Sequence, residues 1–199
     1  MSLVIICLVL LWILVLGLSA VVFALARQIG VLHERIAPLG ALMTGGPAVG
    51  AQAPRIVAHQ LDGRQMVIGD PLPAGRTQFL LFISSDCPIC KKVIPLARSV
   101  ANAEGLDLIF VGDAAVAEQQ ELVAALQLQE FPFLNGPEVG TTFQIGKLPY
   151  GVLLDDRGRV AAKGLVNTRE HLESLVVSKQ TGIPSAQAYV KRAMGSDIS

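Results

Sequence analysis

Two cysteines with the spacing Cys87-Pro88-Ile89-Cys90 stand between a strand-like run and a helix-like run. Residues 77–83 are apolar and rich in aromatic and branched side chains, which is typical of a strand covered on both faces of a sheet. From Pro88 onward the apolar residues recur at helical spacing, and proline suits the first position of a helix because no amide hydrogen bond is lost there. The sequence therefore predicts a strand, a turn over residues 84–86 and a helix that begins at the motif.

The two cysteines are predicted to have different roles. Cys87 lies at the helix N-terminus, where unpaired amides and the helix dipole favour a thiolate, so we predict that it is the nucleophile. Cys90 lies one turn further on and should face inward, as the resolving thiol that attacks a mixed disulfide on Cys87. The carboxylate of Asp86 disfavours a thiolate on Cys87, so the net effect on ionisation and the direction of electron flow stay open.

Two other uses of the cysteine pair compete with redox chemistry. A structural zinc site needs four ligands, but Cys7 lies in the hydrophobic N-terminal stretch and His33, His59 and His171 are widely scattered. The other alternative is an inert buried pair. The position of the motif between a strand and a helix favours redox chemistry over both, so we predict no metal and no cofactor beyond the redox-active cysteines.

The N-terminal stretch has the composition of a membrane span. Residues 2–26 contain no Asp, Glu, Lys or Arg, and roughly 20 apolar residues suffice to cross a bilayer, so we predict a transmembrane anchor over residues 1–26. A cleaved signal peptide is the alternative, since Ala24-Leu25-Ala26 has the form of a cleavage site, although no basic residue precedes the apolar run. Arg27 and Arg35 follow the span, which by the positive-inside rule alone would place the rest of the chain in the cytoplasm.

The remainder divides into a linker, one domain and a tail. Prolines and glycines from residue 38 onward exclude regular structure, so residues 27–53 are predicted to extend the first helix and then act as a linker. Residues 54–180 are enough for one domain with one core, and residues 181–199 form a tail with a short helix. The formal net charge is zero, which gives no basic field for binding nucleic acid.

The order of elements predicts an α/β domain. Before the motif helix the sequence predicts a hairpin over residues 55–68 and a strand over residues 77–83. After it we predict a strand over residues 106–111, a helix over 114–126, an edge strand over 131–134, a helical turn over 138–144, a hairpin over 151–162 and a helix over 168–177. Asp113 and Asn167 are the predicted N-caps of the helices over 114–126 and 168–177. Strands joined by helices pair in parallel, whereas the closing hairpin adds antiparallel strands. We therefore expect a mixed sheet flanked by helices.

The motif, a proline five residues after Cys90 and the segment Leu148-Pro149-Tyr150 resemble the thioredoxin-like superfamily. In that superfamily a cis proline starts a late strand beside the active disulfide. The resemblance implies a thioredoxin-like mixed sheet and a cis peptide bond between Leu148 and Pro149. The residues expected to bind substrate are Pro88, Ile89, Leu148 and Pro149, with Asp86 tuning the ionisation of the thiol.

Over nearly its full length the chain resembles the thioredoxin-like accessory proteins of methylamine utilization, which are needed to mature methylamine dehydrogenase. The resemblance rests on the anchor, residues 50–54, residues 84–90, residues 148–151 and residues 167–175. It implies a thiol-disulfide oxidoreductase held in the inner membrane by a single span, with its domain in the periplasm. Its expected partners are the methylamine dehydrogenase small subunit, in which it would form or isomerise disulfides, and an unidentified thiol-redox protein.

Two functions from other classes stay open. Residues 50–54 also resemble the opening of peroxiredoxins, but the sequence before Cys87 lacks the Thr-x-x-Cys pattern of those peroxidases. A non-redox assembly chaperone would use the same fold to present an interface around Pro149, and its cysteines would be incidental.

Overall fold

The computed structural model describes residues 5–19 and 46–181 of the chain, which divides into two compact units, Met1–Thr44 and Gly45–Ser199. In the first unit residues 5–19 form helix α1, whose side chains are exposed. No helix within the described residues combines the length and apolar character needed to cross a membrane. The predicted anchor over residues 1–26 continues past both ends of α1, and its remaining residues lie outside the described part of the chain, as do residues 27–45 and 182–199.

The second unit contains strands and helices in alternation. Their bounds are β1 (Ile56–His59), β2 (Gln65–Ile68), β3 (Gln78–Phe82), α2 (Pro88–Glu104), β4 (Asp107–Gly112), α3 (Val116–Ala125), β5 (Phe133–Asn135), α4 (Pro137–Thr142), β6 (Tyr150–Leu154), β7 (Val160–Leu165) and α5 (Arg169–Thr181).

Five of the strands form one mixed sheet in the order β5-β4-β3-β6-β7. Strand β4 is parallel to both β3 and β5, whereas β6 is antiparallel to both β3 and β7. The predicted mixed sheet is therefore confirmed, with the short β5 at its edge. The predicted first hairpin also forms, because β1 and β2 pair antiparallel as a separate two-stranded sheet.

Side chains on the two faces of the sheet belong to two separate apolar clusters. Along β3, Phe79 and Leu81 pack with the buried faces of α2 and α5, whereas Leu80 and Phe82 pack with α4 and the first hairpin. This division follows from the alternation of successive side chains along a strand. All five residues of β3 are buried, as expected for a central strand covered on both faces.

Helix α2 begins and ends as its sequence predicts. Cys87 is the N-cap and Pro88 occupies the first turn, so the missing proline amide costs no helical hydrogen bond. At the other end Gly105 adopts a left-handed conformation with φ of 62° and donates its N–H to the carbonyl of Ala101. The buried face contains the cysteine and apolar residues predicted from the spacing, namely Cys90, Val93, Ile94, Ala97 and Val100.

The predicted caps of α3 and α5 are both wrong. Helix α3 starts at Val116 rather than Ala114, and Asp113 is not its N-cap. With its amide oxygen turned toward the backbone, the buried Gln119 accepts from the N–H groups of Asp113 at 3.2 Å and Ala114 at 3.1 Å. A side chain inside the helix therefore satisfies two backbone donors of the segment that precedes it, and the helix itself has no side-chain cap.

At α5 the N-capping residue is Thr168 instead of Asn167. The Thr168 hydroxyl accepts from the N–H of His171 at 3.5 Å, which is the first-turn amide that an N-cap side chain serves. The backbone N–H of Asn167 instead donates to the His171 ring at 3.3 Å. The helix runs to Thr181, four residues beyond the predicted end.

The end of the segment assigned to the linker is ordered against the sheet. Gly50 donates its N–H to the carbonyl of Val160 at 2.7 Å, and Val160 donates in return to Ala51 at 3.0 Å. Ala53 is 3% exposed. Residues 50–53 therefore run beside residues 158–160, at the start of the outer strand β7, before the first hairpin begins.

Candidate functional site

The two motif cysteines are joined as a disulfide at the start of α2. Their Cα atoms are 5.2 Å apart, inside the range that a disulfide spans, and the backbone N–H of Cys90 lies 3.1 Å from the Cys87 sulfur, which accepts it. Cys87 is half-buried, whereas Cys90 is completely buried among the apolar residues beneath α2. An attacking thiol from another molecule can therefore reach Cys87, while Cys90 is reached through Cys87.

The turn before the motif fixes the position of Cys87. Its backbone N–H donates to the carbonyl of Ser84 at 3.2 Å, and the N–H of Asp86 donates to the Ser84 hydroxyl at 3.3 Å. The hydroxyl of Ser85 donates to the carboxylate of Glu118 in α3 at 3.5 Å. The first two contacts close the turn on itself, and the third links it to α3.

The charge next to Cys87 comes from Asp86. Its side chain is exposed, and within the described residues no hydrogen bond to its carboxylate is found. A solvated carboxylate beside the sulfur opposes the thiolate, whereas the first-turn amides of α2 favour it. Because water screens an exposed charge, we expect the helix N-terminus to have the larger influence.

The structure places the late proline at the same end of the sheet as the motif. The Leu148–Pro149 peptide bond is cis, as predicted. Tyr150 follows it and pairs with Phe82, the last residue of β3, so Pro149 lies level with the chain that leads into the turn and Cys87. The carbonyl of Pro149 accepts from the N–H of Val166 at 3.1 Å, which ties this loop to the end of β7.

The predicted substrate-binding residues differ in exposure. Ile89 is 45% exposed and Leu148 is 37% exposed, large fractions for apolar side chains, and Pro88 is also exposed. Pro149, in contrast, is buried. The residues predicted from the sequence therefore comprise an apolar surface, the half-buried sulfur of Cys87 and one exposed carboxylate at Asp86.

A cavity of about 440 Å³ lies beside this surface and includes Leu148 in its wall. Phe82 and Val111 contribute from the ends of β3 and β4, Ile145 from the loop after α4, and Asp113 is a charged wall residue. Neither this cavity nor the contact of Glu118 with the turn was predicted from the sequence. No local signal could have revealed either, because the contributing segments are far apart in the chain and meet only in the folded sheet.

Buried ionisable groups also lie near this end of the sheet and on β7. Burial raises the pKa of Tyr150, next to the cis proline. Burial lowers the pKa of Lys163 on β7, whose ammonium donates to the carbonyl of Gly46 at 3.3 Å. Across residues 5–19 and 46–181, no three His, Cys, Asp or Glu side chains come together in a way that could hold a metal ion.

Comparison with known proteins identifies the family of the chain. No family model matches it. The methylamine utilization protein MauD of Paracoccus denitrificans is 42% identical over 183 residues, which cover 92% of each chain. The thiol-disulfide oxidoreductase ResA of Bacillus cereus is 27% identical over 132 residues, which cover 63% of this chain and 75% of ResA.

The solved structures agree with the topology described above. The thioredoxin domain of a thiol-disulfide oxidoreductase from Bacteroides vulgatus aligns with a TM-score of 0.57 at 20% identity, covering 66% of this chain and 97% of that domain. The fold is therefore thioredoxin-like. Since the identity to the Paracoccus protein extends over nearly the whole length of both sequences, the chain belongs to the family of the methylamine utilization protein MauD.

Proposed function

We propose that this protein is a thiol-disulfide oxidoreductase that acts on a protein substrate during methylamine utilization. The observation that carries the proposal is the pairing of a half-buried Cys87 at a helix start with a completely buried Cys90 one turn later, already joined as a disulfide. This arrangement admits one external sulfur and keeps the second cysteine for resolution. Membership in the MauD family supports the metabolic context.

In the oxidising direction a substrate thiolate attacks the sulfur of Cys87. A bond forms between these two sulfurs as the bond from Cys87 to Cys90 breaks, and Cys90 leaves as a thiolate. A second substrate thiolate then attacks the substrate sulfur of the mixed disulfide, and Cys87 leaves as a thiolate. Two electrons and two protons have passed from the substrate dithiol to the cysteine pair.

For isomerisation the reduced protein starts the reaction. The Cys87 thiolate attacks a wrong disulfide in the substrate, which releases one substrate thiolate. A different substrate thiolate then displaces Cys87, so the substrate disulfide is rearranged without net transfer of electrons. If no substrate thiolate does so, Cys90 attacks Cys87 and the substrate leaves reduced.

The backbone amides at the start of α2 make the thiolate of Cys87 a better leaving group than the thiolate of Cys90. Its sulfur accepts the N–H of Cys90 at 3.1 Å and caps the first turn of α2. A negative charge on this sulfur is stabilised by the unpaired amides of that turn, whereas the sulfur of Cys90 is enclosed by apolar side chains that disfavour charge.

The resemblance in sequence suggests the substrate and the location. We assign the small subunit of methylamine dehydrogenase as the substrate, in which the protein forms or isomerises disulfides. Residues 1–26 anchor the chain in the inner membrane, since residues 2–26 contain no charged side chain, and the domain lies in the periplasm, where disulfides persist. A separate thiol-redox protein resets the cysteine pair.

The test is to trap the substrate. Replacing Cys90 with serine removes the resolving thiol, so the full-length variant should accumulate a mixed disulfide through Cys87 that mass spectrometry assigns to the dehydrogenase small subunit. The matched control is Cys87→Ser, which should trap nothing. Recovery of unrelated proteins only would contradict the assigned substrate.

A second experiment separates redox chemistry from binding alone. Cells that carry the double variant Cys87→Ser, Cys90→Ser should fail to produce active methylamine dehydrogenase. Normal maturation in those cells would support the non-redox chaperone and contradict the oxidoreductase.

A further inference from the structure

We propose that His171, in the first turn of α5, is a positioning residue for the cis proline near the cysteine pair. Through Asn167 and Val166 its ring holds Pro149 level with the chain that leads into Cys87. This inference rests on the proposed function, because it assumes that a polypeptide lies against the cis-proline loop while it exchanges disulfides with Cys87.

The ring of His171 accepts a hydrogen bond from the main chain. The backbone N–H of Asn167 lies 3.3 Å from Nδ1 of His171. A backbone N–H can only donate, so Nδ1 carries no proton in this contact, and the proton of the neutral ring is on Nε2. The bond therefore depends on an acceptor atom at the position of Nδ1, which an apolar side chain of similar size does not provide.

The arrangement extends a capping box by one residue. In a capping box the side chain at the third helical position accepts the N–H of the N-cap residue, and the N-cap side chain accepts the N–H of that third residue. The second of these bonds is present, because Thr168 Oγ1 accepts from the N–H of His171 at 3.5 Å. The ring of His171, however, reaches past the N-cap to Asn167, so it holds the residue that connects α5 to the end of β7.

Asn167 is joined directly to the residue that supports the cis proline. Val166 donates its N–H to the carbonyl of Pro149 at 3.1 Å, and its side chain is completely buried in the cluster beneath α2 and α5. The peptide group between Val166 and Asn167 is planar, so a bond to its N–H fixes its orientation. The ring of His171 therefore limits the movement of the segment that holds Pro149.

The packing of the first turn of α5 keeps the ring in place. His171 is half-buried, whereas residues 167–170 before it are exposed. The next residue, Leu172, is buried in the same apolar cluster as Val166. The backbone of His171 is thus anchored beside the segment that its ring contacts.

Three variants separate the acceptor atom from the rest of the side chain. His171→Asn keeps an acceptor, since Oδ1 of asparagine and Nδ1 of histidine are both bonded to Cγ. His171→Leu keeps a branched side chain but removes the acceptor. His59→Leu is the matched control, because His59 is exposed on β1 in the first hairpin, where its ring contacts Gln65.

The experiment measures the rate constant at which the oxidised full-length protein is reduced by two dithiols, a synthetic peptide with two cysteines and dithiothreitol. The peptide can lie along the cis-proline loop, whereas dithiothreitol has no polypeptide chain to do so. We therefore expect His171→Leu to lower the rate constant for the peptide by about fivefold, the effect of one hydrogen bond, and to leave that for dithiothreitol unchanged. His171→Asn and His59→Leu should both retain the wild-type rate constants.

Hydrogen exchange of the Val166 amide, followed by NMR spectroscopy, is a second readout that does not depend on the reaction. Because this N–H donates to Pro149, His171→Leu should speed up its exchange by about fivefold, and His171→Asn should not. Equal peptide rate constants in His171→Leu and the wild-type protein, or equal losses with both dithiols, would overturn the positioning role. A wild-type protein that oxidises neither dithiol would contradict the proposed function, and the exchange of Val166 would then decide alone whether His171 holds the loop.

Discussion

Gly151 on β6 is the position where the structure predicts the clearest penalty for adding one methyl group. A Cβ built on Gly151 lies 2.8 Å from Cδ1 of Leu175, 3.1 Å from Cε2 of Phe79 and 3.3 Å from Cγ1 of Val166. Carbon atoms in contact normally stay about 3.5–4.0 Å apart. The neighbours belong to α5, β3 and the segment after β7, so alanine at this position requires several elements to move.

The expected size of the effect follows from two opposing terms. Adding a methyl group to a filled core costs about 1–3 kcal/mol, whereas replacing glycine in a strand returns about 0.5–1 kcal/mol of backbone entropy. The two terms leave a net loss between about 0 and 2.5 kcal/mol, and we expect Gly151→Ala to lower the free energy of unfolding by about 1 kcal/mol, measured by urea denaturation of the purified protein.

A double-mutant cycle with Leu175 tests the stated cause. Leu175→Ala alone should cost about 2–5 kcal/mol because it leaves a cavity. In the double variant the methyl group added by Gly151→Ala would enter the space that Leu175 vacates. The double variant should therefore lose about 1 kcal/mol less stability than the sum of the losses measured for the two single variants. Additive losses, or an increase in stability from Gly151→Ala alone, would refute the contact as the cause.

Three further predictions concern a helix cap, two buried ionisable groups and the reactive thiol. Thr168→Ala should lower the free energy of unfolding by about 1 kcal/mol and Asn167→Ala should change it little, since only the former removes the cap; equal losses in urea unfolding would contradict this. Burial lowers the pKa of Lys163 below its ordinary value of 10.5, so its contribution to stability rises with pH toward 10.5, where the unfolded chain still holds the proton that the folded chain has lost. Burial raises the pKa of Tyr150 above 10.0, so the contribution of Tyr150 to the free energy of unfolding falls as the pH rises above 10.0. Lys163→Met removes the opposing contribution of Lys163 and should make the free energy of unfolding fall more steeply with pH, as measured by urea unfolding across a pH series. The same pH dependence in the variant and the wild-type protein would contradict this prediction. In the reduced protein, Asp86→Asn should lower the pH at which alkylation of Cys87 is half-maximal, because a neighbouring negative charge is removed. A shift of this pH to a higher value would contradict the electrostatic role of Asp86.

Features governed by local rules were predicted correctly from the sequence. The start of α2 follows from Pro88 after a turn and from the helical spacing of the apolar residues. The first hairpin follows from Asp62-Gly63, where Gly63 adopts a φ of 84° that favours glycine. The cis bond at Pro149 came from family resemblance rather than from physical reasoning, and it too is confirmed.

Features that depend on distant segments were missed or predicted wrongly. Asp113 has the residue type of an N-cap, but α3 starts only at Val116, and Gln119 inside the helix accepts from the amides of Asp113 and Ala114, a contact that the sequence alone does not reveal. The contact between Ser85 and Glu118 joins residues 33 positions apart, and the cavity that includes Leu148 in its wall needs two strands and α4 in place. The reactive pair could therefore be predicted from the sequence, whereas the contacts and the cavity around it could not.

The turn over residues 84–86 connects the chemistry to the two faces of the sheet. Ser84 holds Cys87 through its carbonyl, and Ser85 contacts Glu118 on α3. Ile83, just before the turn, is 1% exposed and belongs to the cluster that encloses Cys90, yet it also contributes to the wall of the cavity. A bulkier or smaller residue at Ile83 would change both the packing of the resolving thiol and the wall of the cavity, whereas Gly140 contributes to the wall and to neither apolar cluster. The cavity should therefore be alterable at α4 without disturbing the resolving thiol, but not at the residue that follows β3.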